Sequence, residues 1–288
     1  MLSDFTSASS PRGRARPLIL RALGTDDPPM RIEIAGRRYD CFEVLKHDSW
    51  ACTALYGGQA GRVICKFNRQ QAIFGLPLRW LGRWLARRER QVLWRLADVP
   101  EIPNDCGDVT VDGVVAAHAA AHEYVEGHPL ARGERVADTF FPHLLKVLGI
   151  IHARHIAVVD LNKRENILVG EDGQPHLIDF QISFRLPDRW PGNAAPARGM
   201  LRILQRADLY HLSKHIRSHR PDQVTAGELE WVTQRPWTIR LWRCISTPFQ
   251  FLRRRLLVLI GVRRGGGMAY TESDPEDAVR REQTRRTP

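Results

Sequence analysis

No run in these 288 residues approaches the roughly 20 apolar positions that a bilayer-spanning helix needs. Cysteine is sparse. There are five (Cys41, Cys52, Cys65, Cys106 and Cys244), odd in number and without paired spacing. That argues against a disulfide frame or a cysteine zinc site and leaves reduced thiols in a cytosol as the expectation. Residues 1–17 lack the apolar core and small-residue site of a secretory signal. No internal repeat and no nucleic-acid-binding motif is recognisable. Acidic residues are outnumbered, 32 Asp and Glu against 43 Lys and Arg, giving a net charge of +11. The excess points to an anionic lipid surface, a phosphorylated glycan or RNA, or else to an Arg-rich genome. An apolar fraction of 43% is enough for a core and excludes wholesale disorder.

What is present centres on one stretch. Asp160 is trailed by Asn166, and the β-type run Ile167-Leu168-Val169 follows. A turn at Glu171-Asp172-Gly173 leads to a second β-type run and Asp179. Hairpin chemistry holds the two acidic residues near each other. Two carboxylates and a carboxamide at one end of a hairpin suit Mg²⁺, which takes hard oxygen ligands. They also suit phosphoryl transfer, where one Asp orients a hydroxyl and the others hold metal on the nucleotide.

The chain around it divides by composition. Residues 1–29, rich in Ser, Pro, Arg and Asp, read as a flexible leader. Alternating stretches at 31–34, 37–45, 51–56 and 62–67 read as two hairpins, and 114–122 as a further strand. Residues 74–96 read as a helix with Leu78, Leu81 and Leu85 on one face, beside Trp80 and Trp84. Arg79, Arg83, Arg87 and Arg90 form its basic stripe, with Glu89 its one acidic residue. Such a helix either lies on an anionic membrane or packs on the sheet with Arg stems covering apolar surface. Residues 139–155 and 206–215 read as helices, and the proline-bearing 184–199 as a short stiff loop. A basic amphipathic extension at 236–264 and a flexible tail at 265–288 complete the division.

Lys163-Arg164-Glu165-Asn166-Ile167-Leu168-Val169 resembles the end of a protein-kinase catalytic loop, and Ile178-Asp179-Phe180 the start of its D-F-G segment. Val158-Val159 replaces the usual His-Arg, Asn162 reads as one extra loop residue, and Gln181 stands where Gly is expected. These departures turn the resemblance towards the atypical bacterial branch of the protein-kinase-like superfamily, the lipopolysaccharide-core sugar kinases and RIO-like kinases.

The resemblance implies an α+β, two-lobed fold: a small antiparallel-sheet lobe at 30–122, then a hinge and a mostly helical large lobe at 123–235. It implies ATP and Mg²⁺ as cofactors and transfer of the γ-phosphoryl group to a hydroxyl. Asp160 would orient the acceptor, with Lys163 steadying the transferring group. Lys66 would grip the phosphates and Glu89 would position Lys66. Asn166 and Asp179 would hold the metal. Glu123 and Val125 would meet the adenine edge through their backbone. Lys46-His47-Asp48-Ser49-Trp50 stands where a glycine-rich loop is expected, leaving Ser49 and exposed N–H groups to cover the phosphates. Asp208 is a candidate for the buried acceptor of catalytic-loop hydrogen bonds, or for a solvated helix residue. The acceptor implied is a core sugar, with a protein serine as alternative. A catalytically weak pseudokinase or membrane-binding module is the non-enzymatic alternative. Location would be cytoplasmic, with peripheral contact at the inner membrane face.

Overall fold

The computed structural model describes residues 21–72 and 77–223; the expected extension at 236–264 and tail at 265–288 lie outside them. The architecture is α+β, with a curled antiparallel sheet and three helices. Two hairpins start it. Strand β1 (Arg31–Ile34) pairs with β2 (Arg37–His47) across the Ala35-Gly36 turn, where both residues take positive φ. Strand β3 (Ala51–Gly58) pairs with β4 (Gly61–Asn68). Helix α1 (Arg79–Arg95) follows, then β5 (Val109–Val111), β6 (Val114–Val115) and β7 (Ala119–Glu123). These seven strands form one sheet in the order β6-β5-β1-β2-β3-β4-β7. The expected strand 114–122 is broken, because Ala116 to His118 turn away from the ladder.

Beyond β7 the described chain sets two long helices among five short strands. Strand β8 (Gly127–Pro129) precedes α2 (Phe140–Ala153) and β9 (Ile156–Ala157). Strands β10 (Ile167–Gly170) and β11 (Pro175–Leu177) form the expected hairpin around Gly173. Strand β12 (Phe184–Arg185) pairs with β9, and α3 (Ala195–His219) and a 3-10 turn (Pro221–Gln223) close the described chain. The stiff loop expected over 184–199 is therefore a strand and a helix start. Pro196 sits in the first turn of α3, where a missing N–H costs nothing.

Two apolar cores result. One fills the curl of the sheet with Ile32, Ile34, Tyr56, Phe67 and Ala121. The other packs Phe140, Leu144 and Leu148 of α2 against Ile167, Leu177, Phe180 and Leu212. Helix α1 serves both regions. Leu85 and Ala86 are buried near the sheet, while Val92, Leu93 and Leu96 enter the second core. Residues 21–29 are not a free leader. Leu23 is buried in the sheet core, the Ala22 N–H donates to the Asp48 carbonyl, and the Tyr56 hydroxyl donates to the Pro29 carbonyl. Leu23, at the end of the largely apolar run 17–23, covers sheet surface.

The α1 stripe divides too. Arg79, Arg83 and Arg87 are exposed, as are Trp80, Trp84 and Trp94. Arg90 turns inward to Asp105 at 3.2 Å, and the Arg88 guanidinium stacks 4.8 Å from the Trp84 ring while donating to the Ser183 carbonyl. No helix among the described residues is long and apolar enough to cross a membrane.

Helix α1 approaches β4 closely. A Cβ at Gly82 would overlap the carbonyl oxygen of Arg69, whose own side chain is fully buried and donates to the carbonyls of Ser49 and Gln71. Gly to Ala in an open helical position stabilises by about 1 kcal/mol. Overpacking against backbone costs about 1–3 kcal/mol and should outweigh it. Urea unfolding should therefore show Gly82→Ala destabilised, and Gly149→Ala in α2, where nothing lies within 4 Å, unchanged or stabilised.

Candidate active site

The site is built on β4. Pairing to β3 and β7 fixes Lys66 opposite Thr53 on one side and Ala120 on the other. Val63, Cys65 and Phe67 alternate into the sheet core, so period-two geometry turns Lys66 to the other face. There its ammonium donates to Glu89 Oε1 at 2.7 Å and to Asp179 Oδ1 at 2.8 Å. Burial disfavours the charge on Lys66, but Asp179 and Glu89 together outweigh it and raise its pKa. Burial pushes the Glu89 carboxyl up, and Lys66 offsets this only in part. Its second oxygen, Oε2, is buried without a hydrogen-bond partner, so the pair is held by α1 packing rather than by a polar network.

Asp179 arrives from the hairpin. The Ile178 N–H donates to the Asn166 carbonyl at 3.0 Å, which ties the two ends of β10–β11 together. Burial would raise the Asp179 carboxyl, yet Lys66, then Lys163 and Lys46, bring it down to about 2. Its φ of +65°, and that of Val159 at +70°, lie in the left-handed region, which costs a β-branched residue most. Asp208 helps hold the Val159 conformation. Fully buried in α3, it accepts the Val158 and Val159 N–H groups, each at 2.8 Å, and faces His152 Nε2 at 3.1 Å. Of the two readings open for Asp208, the buried acceptor is the one found.

The loop between them is compact. Asp160 Oδ2 pairs with Lys163 Nζ at 2.5 Å. Partial burial works against the Lys163 charge, but Asp160, Asp179 and Glu165 raise its pKa. Asn166 Nδ2 donates to the Asp160 carbonyl at 3.1 Å, which leaves its side-chain oxygen for another partner. Asn162 bulges to solvent and meets Lys214 at 3.4 Å, so the extra residue is absorbed outside the site.

The donor set fits Mg²⁺. Asp179 and Asn166 offer hard oxygens, and an ion that keeps several waters and takes phosphate oxygens needs few protein ligands. Among the described residues no group of three or more His, Cys, Asp or Glu side chains forms a metal site by itself.

Two expected contacts are placed differently. The backbone of Glu123 is already used: its N–H donates to the Asn104 carbonyl at 3.0 Å, and its carbonyl meets His122 Nδ1 at 2.8 Å. Adenine pairing through Glu123 would have to displace these bonds, whereas Val125 lies half-buried two residues on. Ser49 sits in a turn closed by Asp48, whose Oδ1 accepts the Trp50 and Ala51 N–H groups at 2.7 and 3.0 Å. Those amides are not turned to a ligand, and the Ser49 carbonyl accepts Arg69 Nη1 at 2.6 Å. One neighbour escaped the sequence reading. His122 is buried beside the Lys66 charge and pushed down to about 4, so it is neutral. Only strand register reveals it.

No protein-family model matches this sequence, and no curated protein is significantly similar to it.

The depressed Asp179 carboxyl makes stability pH-dependent. A group held below its unfolded value near 3.9 stabilises fully above that pH, and loses its contribution as pH falls through the folded value. Between pH 5 and pH 3 the wild type should lose about 1 kcal/mol more than Asp179→Asn, read from urea unfolding at each pH. Equal losses would mean Asp179 is not depressed.

Proposed function

We propose that this chain is an ATP-dependent phosphotransferase of two-lobed, protein-kinase-like architecture. Its acceptor is a hydroxyl of a lipopolysaccharide-core sugar. The observation that carries the reading is the Lys66 ammonium held between Glu89 of α1 and Asp179 of the hairpin end, at 2.7 and 2.8 Å. Three segments far apart in the chain thus converge on one buried cation. A structural ion pair alone needs one carboxylate, and burying three charges is costly. Phosphoryl transfer uses all of them.

The chemistry follows from the placement. The sheet region and the helical region form the two lobes, and the cleft between them takes the nucleotide. Lys66 binds the phosphates, and Glu89 keeps Lys66 extended. Asp160 accepts the proton of the acceptor hydroxyl as its oxygen bonds to the γ-phosphorus. The bond from that phosphorus to the β–γ bridging oxygen breaks, and ADP leaves. Lys163, paired with Asp160, neutralises charge on the transferring group. Mg²⁺ held by Asp179 and Asn166 would supply the remaining charge compensation at the phosphates. Most of the acceleration would be positioning and electrostatics.

The acceptor assignment rests on the exposed Trp and Arg face of α1, which suits an anionic, membrane-borne glycan. Turnover of labelled ATP should be Mg²⁺-dependent in the wild type and fall by roughly a hundredfold or more in Asp160→Ala. Label should appear on the core glycan. Transfer to protein alone would move the assignment to a RIO-like kinase. Turnover equal in wild type and Asp160→Ala would end the phosphotransferase reading.

A further inference from the structure

The β2–β3 hairpin is the sheet neighbour of β4, the strand whose Lys66 the reading above gives to the phosphates. Its turn offers them little, because Asp48 has taken the Trp50 and Ala51 N–H groups. What the hairpin offers instead is set by register. Val44 pairs with Ala54, and an unbroken ladder would then put Leu45 opposite Thr53 and Lys46 opposite Cys52, on the core face. A register shift between Val44 and Lys46 makes Leu45 the extra residue. Lys46 therefore pairs with Thr53, and Thr53 pairs with Lys66. Directly opposed residues share a face of the sheet. Bulges re-aim a side chain in this way beside functional sites.

Lys46, Thr53 and Lys66 thus form a row across three adjacent strands on the face that meets Asp179. Strand spacing sets the two lysine Cα atoms about 10 Å apart. Asp179 is paired with Lys66 at 2.8 Å, and the more distant charges of Lys163 and Lys46 also lower its carboxyl. Lys46 Nζ pairs with Asp48 Oδ2 at 3.1 Å, and its side chain is 41% exposed. That leaves it room to reach a ligand.

We infer that Lys46 is a second phosphate-binding lysine, which replaces turn amides by a side-chain ammonium and grips the terminal phosphate of a nucleoside triphosphate. Asp48 acts as its positioning residue by closing the turn and holding the Lys46 head. This rests on the phosphotransferase reading and adds a specificity to it. Recognition by Lys46 favours the triphosphate over the diphosphate, whereas Lys66 contacts inner phosphates common to both.

Calorimetric titration of the full chain with Mg-ATP, Mg-ADP and adenosine tests it, in wild type, Lys46→Met, Lys46→Arg and the charge control Arg79→Met. Lys46→Met should bind Mg-ATP about tenfold more weakly, Mg-ADP less affected and adenosine unchanged, with Lys46→Arg recovering most of the loss. An unchanged melting temperature without ligand checks that the variant folds. Mg-ATP affinity in Lys46→Met no lower than in Arg79→Met overturns the assignment, as does equal weakening of all three ligands. In either case wild-type binding of Mg-ATP leaves the phosphotransferase reading standing. Failure of the wild type to bind Mg-ATP overturns both.

Discussion

The structure depends on keeping one ammonium charged inside the protein. Lys66 has almost no solvent, with 9% of its side chain exposed. Desolvation of a lone lysine would drive its proton off, so the fold supplies Glu89 and Asp179. That requirement reaches across the molecule. Helix α1 must lie close enough to β4 to bring Glu89 inward, hence the bare Gly82 against the Arg69 carbonyl. The β10–β11 hairpin must deliver Asp179 at positive φ, and Asp208 must hold the Val158–Val159 turn that leads into Asp160. Removing either carboxylate would leave Lys66 with a single ion-pair partner.

The parts legible in the sequence were those fixed by local chemistry. Glu171-Asp172-Gly173 announced a turn between β-type runs that became β10–β11, and the alternating runs 51–56 and 62–67 became β3–β4, whose turn lies at residues 59–60, after Gly57-Gly58. Lys66 and Glu89 could be paired because a single acid stands among arginines in an amphipathic helix. What stayed hidden depends on tertiary placement. Nothing in Glu43-Val44-Leu45-Lys46 says that Leu45 is skipped by the ladder, so Lys46 read as part of a loop. Leu23 looked like part of a flexible leader until the sheet gave it a surface to cover. His122 read as one strand residue among many, and only its pairing opposite Ile64 sets it beside Lys66.

The same logic explains what replaces glycine. A glycine-rich turn recognises phosphate through backbone amides, which demands conformations open to few residues. This hairpin uses Asp48 to satisfy its own amides and a bulge to present a lysine. The turn is thereby stabilised by a side chain, and on the proposed reading recognition passes to a side-chain charge. That is consistent with a chain whose basic excess is large, and it accounts for an otherwise odd acidic residue at the hairpin tip.

The central claim is that Asp179, Asn166 and Lys66 together hold a metal-bound nucleotide. Its most direct test is a crystal structure with a non-hydrolysable ATP analogue and Mn²⁺, located by anomalous scattering. The account predicts manganese about 2.0–2.2 Å from an Asp179 carboxylate oxygen and the Asn166 side-chain oxygen, with Lys66 Nζ on a phosphate. Nucleotide bound elsewhere, or metal with no contact to Asp179, would contradict it.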